Sequence, residues 1–302
     1  MARTGSQAAA TPAGWTDYAL LVTLAAIWGG SFLFIKIAID TIPPMTIAAG
    51  RIALAAGILY LAARIAGQRL PAFGQAWIFI TGIAIFGNAV PFTLIGWGEE
   101  EIDSGLAAIL MAIVPLCTLV VAHFFTSDEK ITTQKVIGLI IGFTGIILLI
   151  GPSSLLSLGT EAIHQLAVAL GAACYGFSSV MAKQLSGLPR RGVAAAIMIT
   201  STSLIVPMAL ITDQPWLLTP SGSAVFSVVM LGVTSTALAQ IILLKIVKEQ
   251  GASFLSLNNY MVPVFGLIWG MIFLAERPDP SSLAAFLLIM AGIAVTQFKR
   301  RR

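Results

Sequence analysis

The amino-acid sequence predicts an all-α membrane protein, with ten transmembrane helices in two inverted five-helix repeats. Three observations predict it. The first is composition: 58% of the 302 residues are hydrophobic and only 10% are charged, with a mean hydropathy of +0.95. A soluble domain carries about 25% charge. The second is an internal repeat. Ala25-Ala26-Ile27-Trp28-Gly29-Gly30-Ser31, followed by Lys36, returns as Ala172-Ala173-Cys174-Tyr175-Gly176-Phe177-Ser178, followed by Lys183, an offset of 147 (172 − 25). Glu129-Lys130 with Gly145 returns as Glu276-Arg277 with Gly292 at the same offset of 147 (276 − 129), and Pro115 returns as Pro263 at 148 (263 − 115). Roughly five spans fit in one repeat, and an odd number forces the halves into opposite orientations, the build of secondary transporters. The third is a one-sided distribution of basic residues.

Each span needs about 20 apolar residues between breaks with turn chemistry. The tail 1–16 is short, Ala-rich and polar, without an apolar region of its own, so the first apolar stretch reads as a span and not as a cleaved signal. Span one, 17–39, stops before Ile42-Pro43-Pro44, and span two, 44–66, stops before the stretch Gln68 to Pro71. Span three, 75–98, runs into the acidic Glu99–Asp103 stretch. Span four, 104–125, ends at Ser127-Asp128, and span five, 133–151, at Gly151-Pro152-Ser153-Ser154. The polar, Ser-rich stretch 152–162 is the joint between repeats 17–151 and 163–298. Span six, 163–185, precedes Gly187-Leu188-Pro189; span seven, 192–211, precedes Asp213-Gln214-Pro215. Spans eight and nine, 222–247 and 252–274, lead to Pro278-Asp279-Pro280; span ten, 281–298, runs into a basic tail, 299–302.

If both termini are cytoplasmic, the inner side holds 14 basic residues: Arg3, Arg64, Arg69, Lys130, Lys135, Lys183, Arg190, Arg191, Lys245, Lys248 and the four at 299–302. The outer side keeps three, Lys36, Arg51 and Arg277, and gains nine of the thirteen acidic residues. This bias sets the expected orientation, a multi-pass protein of a bacterial inner membrane with cytoplasmic termini. It also places Lys130 inside and its repeat-mate Arg277 outside, in agreement with inversion.

Polar and helix-breaking residues inside spans are the candidates for function. Trp28-Gly29-Gly30-Ser31 and Tyr175-Gly176-Phe177-Ser178 sit at matched places. Small residues there serve close helix packing, or make flexible points beside a central site. Pro115 and Pro263 remove a backbone hydrogen bond and are expected to kink their helices at the cavity or its gates. For Pro91 and Pro207, packing is the expected role. Asn88, Gln240, Asn258, Asn259, Thr234, Ser235 and Thr236 are costly in hydrocarbon unless bonded, so they face the interior. Asn258-Asn259-Tyr260 is the densest such cluster. Lys36 and Lys183 lie near span ends, where snorkelling accounts for them. Arg51 lies seven residues past Pro44, about 10 Å along a helix; it either snorkels or binds a carboxylate of cargo or of the protein.

Several classes are excluded by what is missing. No Asp or Glu lies deep within a predicted span, so a buried-carboxylate proton relay is not expected. No Lys follows a Gly, no HExxH or GxSxG occurs, and His123 and His164 are 41 residues apart (164 − 123), so neither ATP binding nor intramembrane hydrolysis has its parts. Cys117 and Cys174 fall in apolar stretches, which argues against a disulfide or metal cluster. No cofactor, metal or nucleic-acid partner is expected, and the oligomeric state stays open.

The matched Trp28-Gly29-Gly30-Ser31-Phe32 run with Lys36, the span from Pro115 to Glu129, and its copy from Pro263 to Glu276-Arg277 and Gly292 resemble the EamA family of the drug/metabolite transporter superfamily. The resemblance covers about residues 17–298. It implies ten spans in two inverted repeats and export of amino acids, other metabolites or drugs; within the family the chain is most similar to bacterial aromatic amino-acid exporters. The small four-span multidrug relatives carry a Glu in the first span that 18–39 lacks, so their proton-coupled antiport does not carry over.

The expected activity is secondary export of small amphipathic metabolites, amino acids and aromatic ones included. The expected substrate site comprises Trp28, Ser31, Asn88, Tyr175, Ser178, Gln240, Asn258, Asn259, Tyr260 and Trp269. Aromatics would give apolar faces with polar edges, and amides would give donors and acceptors. Gly29, Gly30, Pro115, Gly176 and Pro263 would shape gates or kinks. Without a deep carboxylate, facilitated diffusion or exchange is the expected energetics. Efflux of organic cations through cation–π contacts is the alternative. An intramembrane enzyme or a scaffold fits the polar residues less well.

Overall fold

A computed structural model describes residues 13–125, 131–151 and 159–297. The tail 1–12, the Glu129-Lys130 half of the repeated motif, the core of the joint at 152–158 and the basic tail 299–302 lie outside the described residues. Among the described residues the chain is helical, with no strand. The helices are α1 Trp15–Ile39, α2 Pro44–Ile65, α3 Ala76–Gly98, α4 Ser104–Met111, α5 Val114–Phe125 and α6 Thr133–Ile150. Then follow α7 Thr160–Lys183, α8 Arg190–Thr212, α9 Gly222–Glu249, α10 Ala252–Leu255, α11 Asn258–Phe273 and α12 Pro280–Gln297.

Eight stretches are long and apolar enough to cross a membrane: α1, α2, α3, α4 with α5, α6, α7, α8 and α9. The remaining apolar stretches fall short of that length for local reasons. The expected span 252–274 is divided by a turn at 256–257, leaving 16 helical residues in α11. The apolar part of α12, Pro280–Thr296, is a shorter helix. Helix starts follow ordinary capping: Pro44 opens α2, and the Ser221 hydroxyl accepts from the Ala224 amide (3.2 Å) at the start of α9.

Large apolar side chains point away from the bundle, among them Ile65, Ile78, Leu61, Ile272 and Leu287. Lipid is as apolar as these side chains, so helices associate through close packing of small residues instead. Against α12, the amide of Gly142 in α6 leaves no room for a Cβ on Gly292. Elsewhere α1 packs on α9 and α11, α7 on α3 and α5, α2 on α8 and α9, and α4 on α11. Two polar tethers mark the end where α1 terminates: Thr46 bonds the Asp213 carboxylate through its amide (2.9 Å) and hydroxyl (2.7 Å), and the Ser221 amide donates to Thr41 Oγ1 (3.1 Å).

Candidate functional site: a cavity between matched helices

A cavity of about 740 Å³ lies among α1, α3, α5, α7, α9 and α11. That volume suits a metabolite-sized ligand. Trp28, Ser31, Asn88, Tyr175, Gln240, Asn258 and Asn259, all expected site residues, line it. Broken helices build much of the wall. In α3, a π-helical turn at Ile85–Ala89 precedes Pro91 and carries Asn88 into the cavity. In α9, a π-helical segment at Leu231–Leu238 carries Ser235 and Thr236. Inserted π turns often mark functional sites, because they turn side chains out of the α-helical register. Pro115 and Pro263 both line the cavity. The residues 112–113 separate α4 from α5 just before Pro115, so the expected kink is a full break. Pro263 sits inside α11, and the break in that stretch falls at 256–257.

The polar residues divide by partner. The Asn88 amide donates to Ser201 Oγ (3.2 Å), an interhelical bond to α8. Asn258 is 1% exposed, and neither its amide nitrogen nor its carbonyl oxygen finds a partner among the described residues. The Ser235 hydroxyl is likewise buried without one. Buried polar groups are paired in the great majority of cases, so these atoms have bonding capacity left for water or a ligand in the cavity. Ser31 is satisfied by the Trp28 carbonyl (2.6 Å).

Other expected site residues lie elsewhere. Ser178 packs against Gly87, and its neighbour Ser179 lines the cavity instead. Tyr260 packs against the main core outside the lining. Trp269 donates its indole N–H to the Ala26 carbonyl (3.1 Å), tying α11 to α1. The glycines serve contact and not bending. A Cβ on Gly29 would come 2.8 Å from the Gly266 nitrogen of α11, and one on Gly176 would come 2.8 Å from the Thr118 nitrogen of α5. Gly30 is looser, 3.5 Å from the Trp269 ring. α1 and α7 run unbroken through these glycines.

Arg51, 5% exposed, puts a guanidinium in the cavity wall, which Lys135 also lines. Its Nε and Nη2 donate to Thr236 Oγ1 (3.2 and 3.1 Å), and its guanidinium stands 3.8 Å from the Phe92 ring centroid. It points into the cavity and does not snorkel. Lys36 does not snorkel either: its Nζ donates to the carbonyl oxygens of Glu99 (2.5 Å) and Ile102 (2.9 Å). Beside them, the Glu276 carboxylate accepts from the amides of Ser104 (2.8 Å) and Gly105 (2.9 Å), capping the start of α4. The cavity lining reaches Ile35 and Ile95 toward this end and Lys135, Leu255 and Thr296 the other way.

The EamA-like transporter family matches this sequence twice, over residues 15–151 and 163–298. The chain belongs to this family. As an EamA-like transporter it has full-length relatives. An uncharacterized transporter of Archaeoglobus fulgidus is 28% identical over 95% of this chain and 99% of its own. The uncharacterized inner membrane transporter YedA of Escherichia coli K12 is 27% identical, covering 84% and 81%. A protein of Streptantibioticus cattleyicolor named a probable terminal-alkyne amino-acid exporter is 25% identical, covering 91% of each. A crystal structure at 20% identity superposes with a TM-score of 0.67 over 95% of this chain and 99% of that one, which shows the shared fold. The family and its relatives are multi-pass membrane transporters, handling small molecules in a lipid bilayer and bearing the names of transporters, not of enzymes.

In this EamA-like transporter the turn after α3 holds a buried carboxylate. Glu99 is 0% exposed, and neither carboxylate oxygen has a hydrogen-bond partner among the described residues. Its place just past Gly98 makes it look like a loop residue, but Lys36 and the following turn fold the loop over it. Burial raises the Glu99 carboxyl well above the usual carboxylate range; Lys36 opposes the shift, Glu276 adds to it and Arg51 opposes it. Glu99 lies just past the end of α3 and not deep within a span, so it is a buried carboxylate that the expectation of uncoupled energetics did not weigh. Among the described residues no three of His, Cys, Asp and Glu gather as metal ligands could.

Proposed function

We propose that this EamA-like transporter is a secondary exporter of small amphipathic metabolites, amino acids and aromatic ones included, and that it works by alternating access. The proposal takes the chain as ten spans in two inverted repeats, 17–151 and 163–298, with the joint at 152–162 and both termini cytoplasmic in a bacterial inner membrane. One observation carries it: the cavity is built from positions that correspond between the repeats. Trp28 and Tyr175 line it at an offset of 147 (175 − 28), as do Asn88 and Ser235 (235 − 88), each on a π-helical segment. The glycine contacts correspond too. Gly29 meets Gly266 and Gly176 meets Thr118; 176 − 29 is 147 and 266 − 118 is 148. A site held at the meeting of two such halves serves rocking of one against the other about fixed cargo.

The amino-acid assignment is supported by the mixed lining, aromatic faces beside unpaired amides, and by the name of the Streptantibioticus relative. Organic-cation efflux is the weaker alternative, because Arg51 places a cation in the wall. Labelled phenylalanine should enter proteoliposomes holding the protein, and Trp28→Ala or Asn258→Ala should cut the rate about tenfold or more without loss of folded protein. A normal rate in both variants would remove the central cavity from the transport path.

A further inference from the structure

We infer that Arg51 is the seat of a carboxylate group of the cargo, so that this cavity selects carboxylate-bearing amphiphiles over the corresponding amines. The inference rests on the proposed function and names the substrate class of the same site.

Three features of the geometry carry it. The first is the state of the guanidinium. Arginine has five N–H donors. Thr236 Oγ1 takes one on Nε and one on Nη2, and Phe92 covers a flat face. Three donors remain (5 − 2), two on Nη1 and one on Nη2, without a partner among the described residues. These form the end-on fork that matches the two oxygens of a carboxylate. The Thr236 hydroxyl is fixed in turn by donating to the Leu231 carbonyl (2.9 Å), so the guanidinium is held in place before any ligand arrives. Phe92 leans on Tyr175, with ring centroids 6.4 Å apart, so an aromatic wall begins beside the fork.

The second is the missing counter-charge. No Asp or Glu lines the cavity among the described residues. A buried cation normally has an anionic partner close by, since its desolvation is otherwise uncompensated. Glu99 acts on Arg51 only across a distance and without an ion pair, and Lys36 acts on Glu99 more strongly than Arg51 does. The remaining anion must come from what enters. A doubly charged phosphate would call for more than one cation at the seat, whereas a single carboxylate is matched by one guanidinium.

The third is a break in the repeat. The position matching Arg51 is Met198 (198 − 51 = 147), which also lines the cavity. Both halves bring aromatic, amide and hydroxyl groups to the wall, but only the first half brings cations, Arg51 and, toward the far end, Lys135. The cavity is therefore polarised across its pseudo-symmetric axis, which suits a cargo with one anionic end and an apolar body.

The test is competition against labelled phenylalanine uptake in proteoliposomes. The competitors are 3-phenylpropionate, which keeps only the carboxylate, and phenethylamine and phenylalaninamide, which lack it. In the wild type, 3-phenylpropionate should compete and the two amines should be at least about 100-fold weaker, the scale on which a site built around a hydrogen-bonding group rejects analogues lacking it. Arg51→Met copies the residue at the matching position of the other half. It should lose the preference for carboxylates while still melting as a folded protein, and Arg51→Lys should recover part of it. Equal competition by amine and acid in the wild type, or an unchanged preference in Arg51→Met, would overturn the inference. If phenylalanine is not transported at all, the proposed function fails, and the inference is read from melting temperature instead. Stabilisation by 3-phenylpropionate in the wild type but not in Arg51→Met sustains a carboxylate seat; stabilisation of neither protein by any of the acids rejects it.

Discussion

At the Glu99 end of the bundle, charged side chains hold backbone groups of a turn and a helix start. Lys36 of α1 holds the turn after α3, and Glu276, after α11, holds the start of α4. At the Trp15 end the side-chain contacts tie helix ends together. Asp17 accepts from Gln250 (2.8 Å), tying α1 to the end of α9, and Gln68 accepts from the amides of residues 191 (2.9 Å) and 192 (3.3 Å). The cavity lining extends toward this second end. The first end is thus held by charged groups on backbone, and the second by a carboxylate–amide pair and an uncharged Gln between helix ends.

The largest effect is expected at Glu276. Its carboxylate makes two hydrogen bonds to the amides that start α4, and bonds to a charged group are worth about 1.5–3 kcal/mol each. Glu276→Ala should lower Tm by several degrees and admit solvent at the Glu99 end. Asp17→Asn, at the other end, should shift stability by less than about 0.5 kcal/mol and leave access unchanged. Similar effects of the two substitutions would erase the distinction between the ends.

A smaller effect is expected from pH. Glu99 holds its proton more tightly in the closed protein than a carboxyl does in water, so closure of that end is favoured at low pH. The preference fades as pH rises from the ordinary carboxylate value through the raised one. The charged groups nearest Glu99 are Lys36 of α1, Arg51 of α2 and Glu276, and Glu100, Glu101 and Asp103 belong to the same turn. Burial raises the Glu100 and Asp103 carboxyls as well, so their titration overlaps. Glu99→Gln should flatten the pH dependence of phenylalanine flux by several-fold while leaving the rate at low pH near that of the wild type. An unaltered pH profile would assign the dependence to the neighbours.

The helices and their order were legible in the sequence because spans of about 20 apolar residues are bounded by prolines, glycines and charges. The position of the cavity was legible because the repeat puts Trp28 against Tyr175 and the amides at Asn88 and Asn258 within spans. Trp269 and Tyr260 were misplaced because rotation of a helix that is apolar all round cannot be read from its pattern. The π-helical turns left weak signals: Pro91 in α3, and in α9 the run Thr234-Ser235-Thr236, whose two threonine hydroxyls donate to the carbonyls of Met230 and Leu231 one turn earlier. Glu99 was hidden because burial of a loop residue depends on how Lys36, far away in sequence, folds the loop over it. Gly29 and Gly176 show the opposite case, where the sequence located the residues and only the neighbouring backbones showed that packing is their role.

The central claim is that the cavity opens at the Trp15 end while the Glu99 end is clasped. Modification of Asn259→Cys by a membrane-impermeant maleimide tests it most directly, with Cys117 and Cys174 replaced by Ser, and with the exposed positions Glu101→Cys and Ser186→Cys marking the two faces. Without cargo, Asn259→Cys should react from the face that labels Ser186→Cys and not from the face that labels Glu101→Cys. Reaction from the Glu101 face at an equal or greater rate would contradict the account.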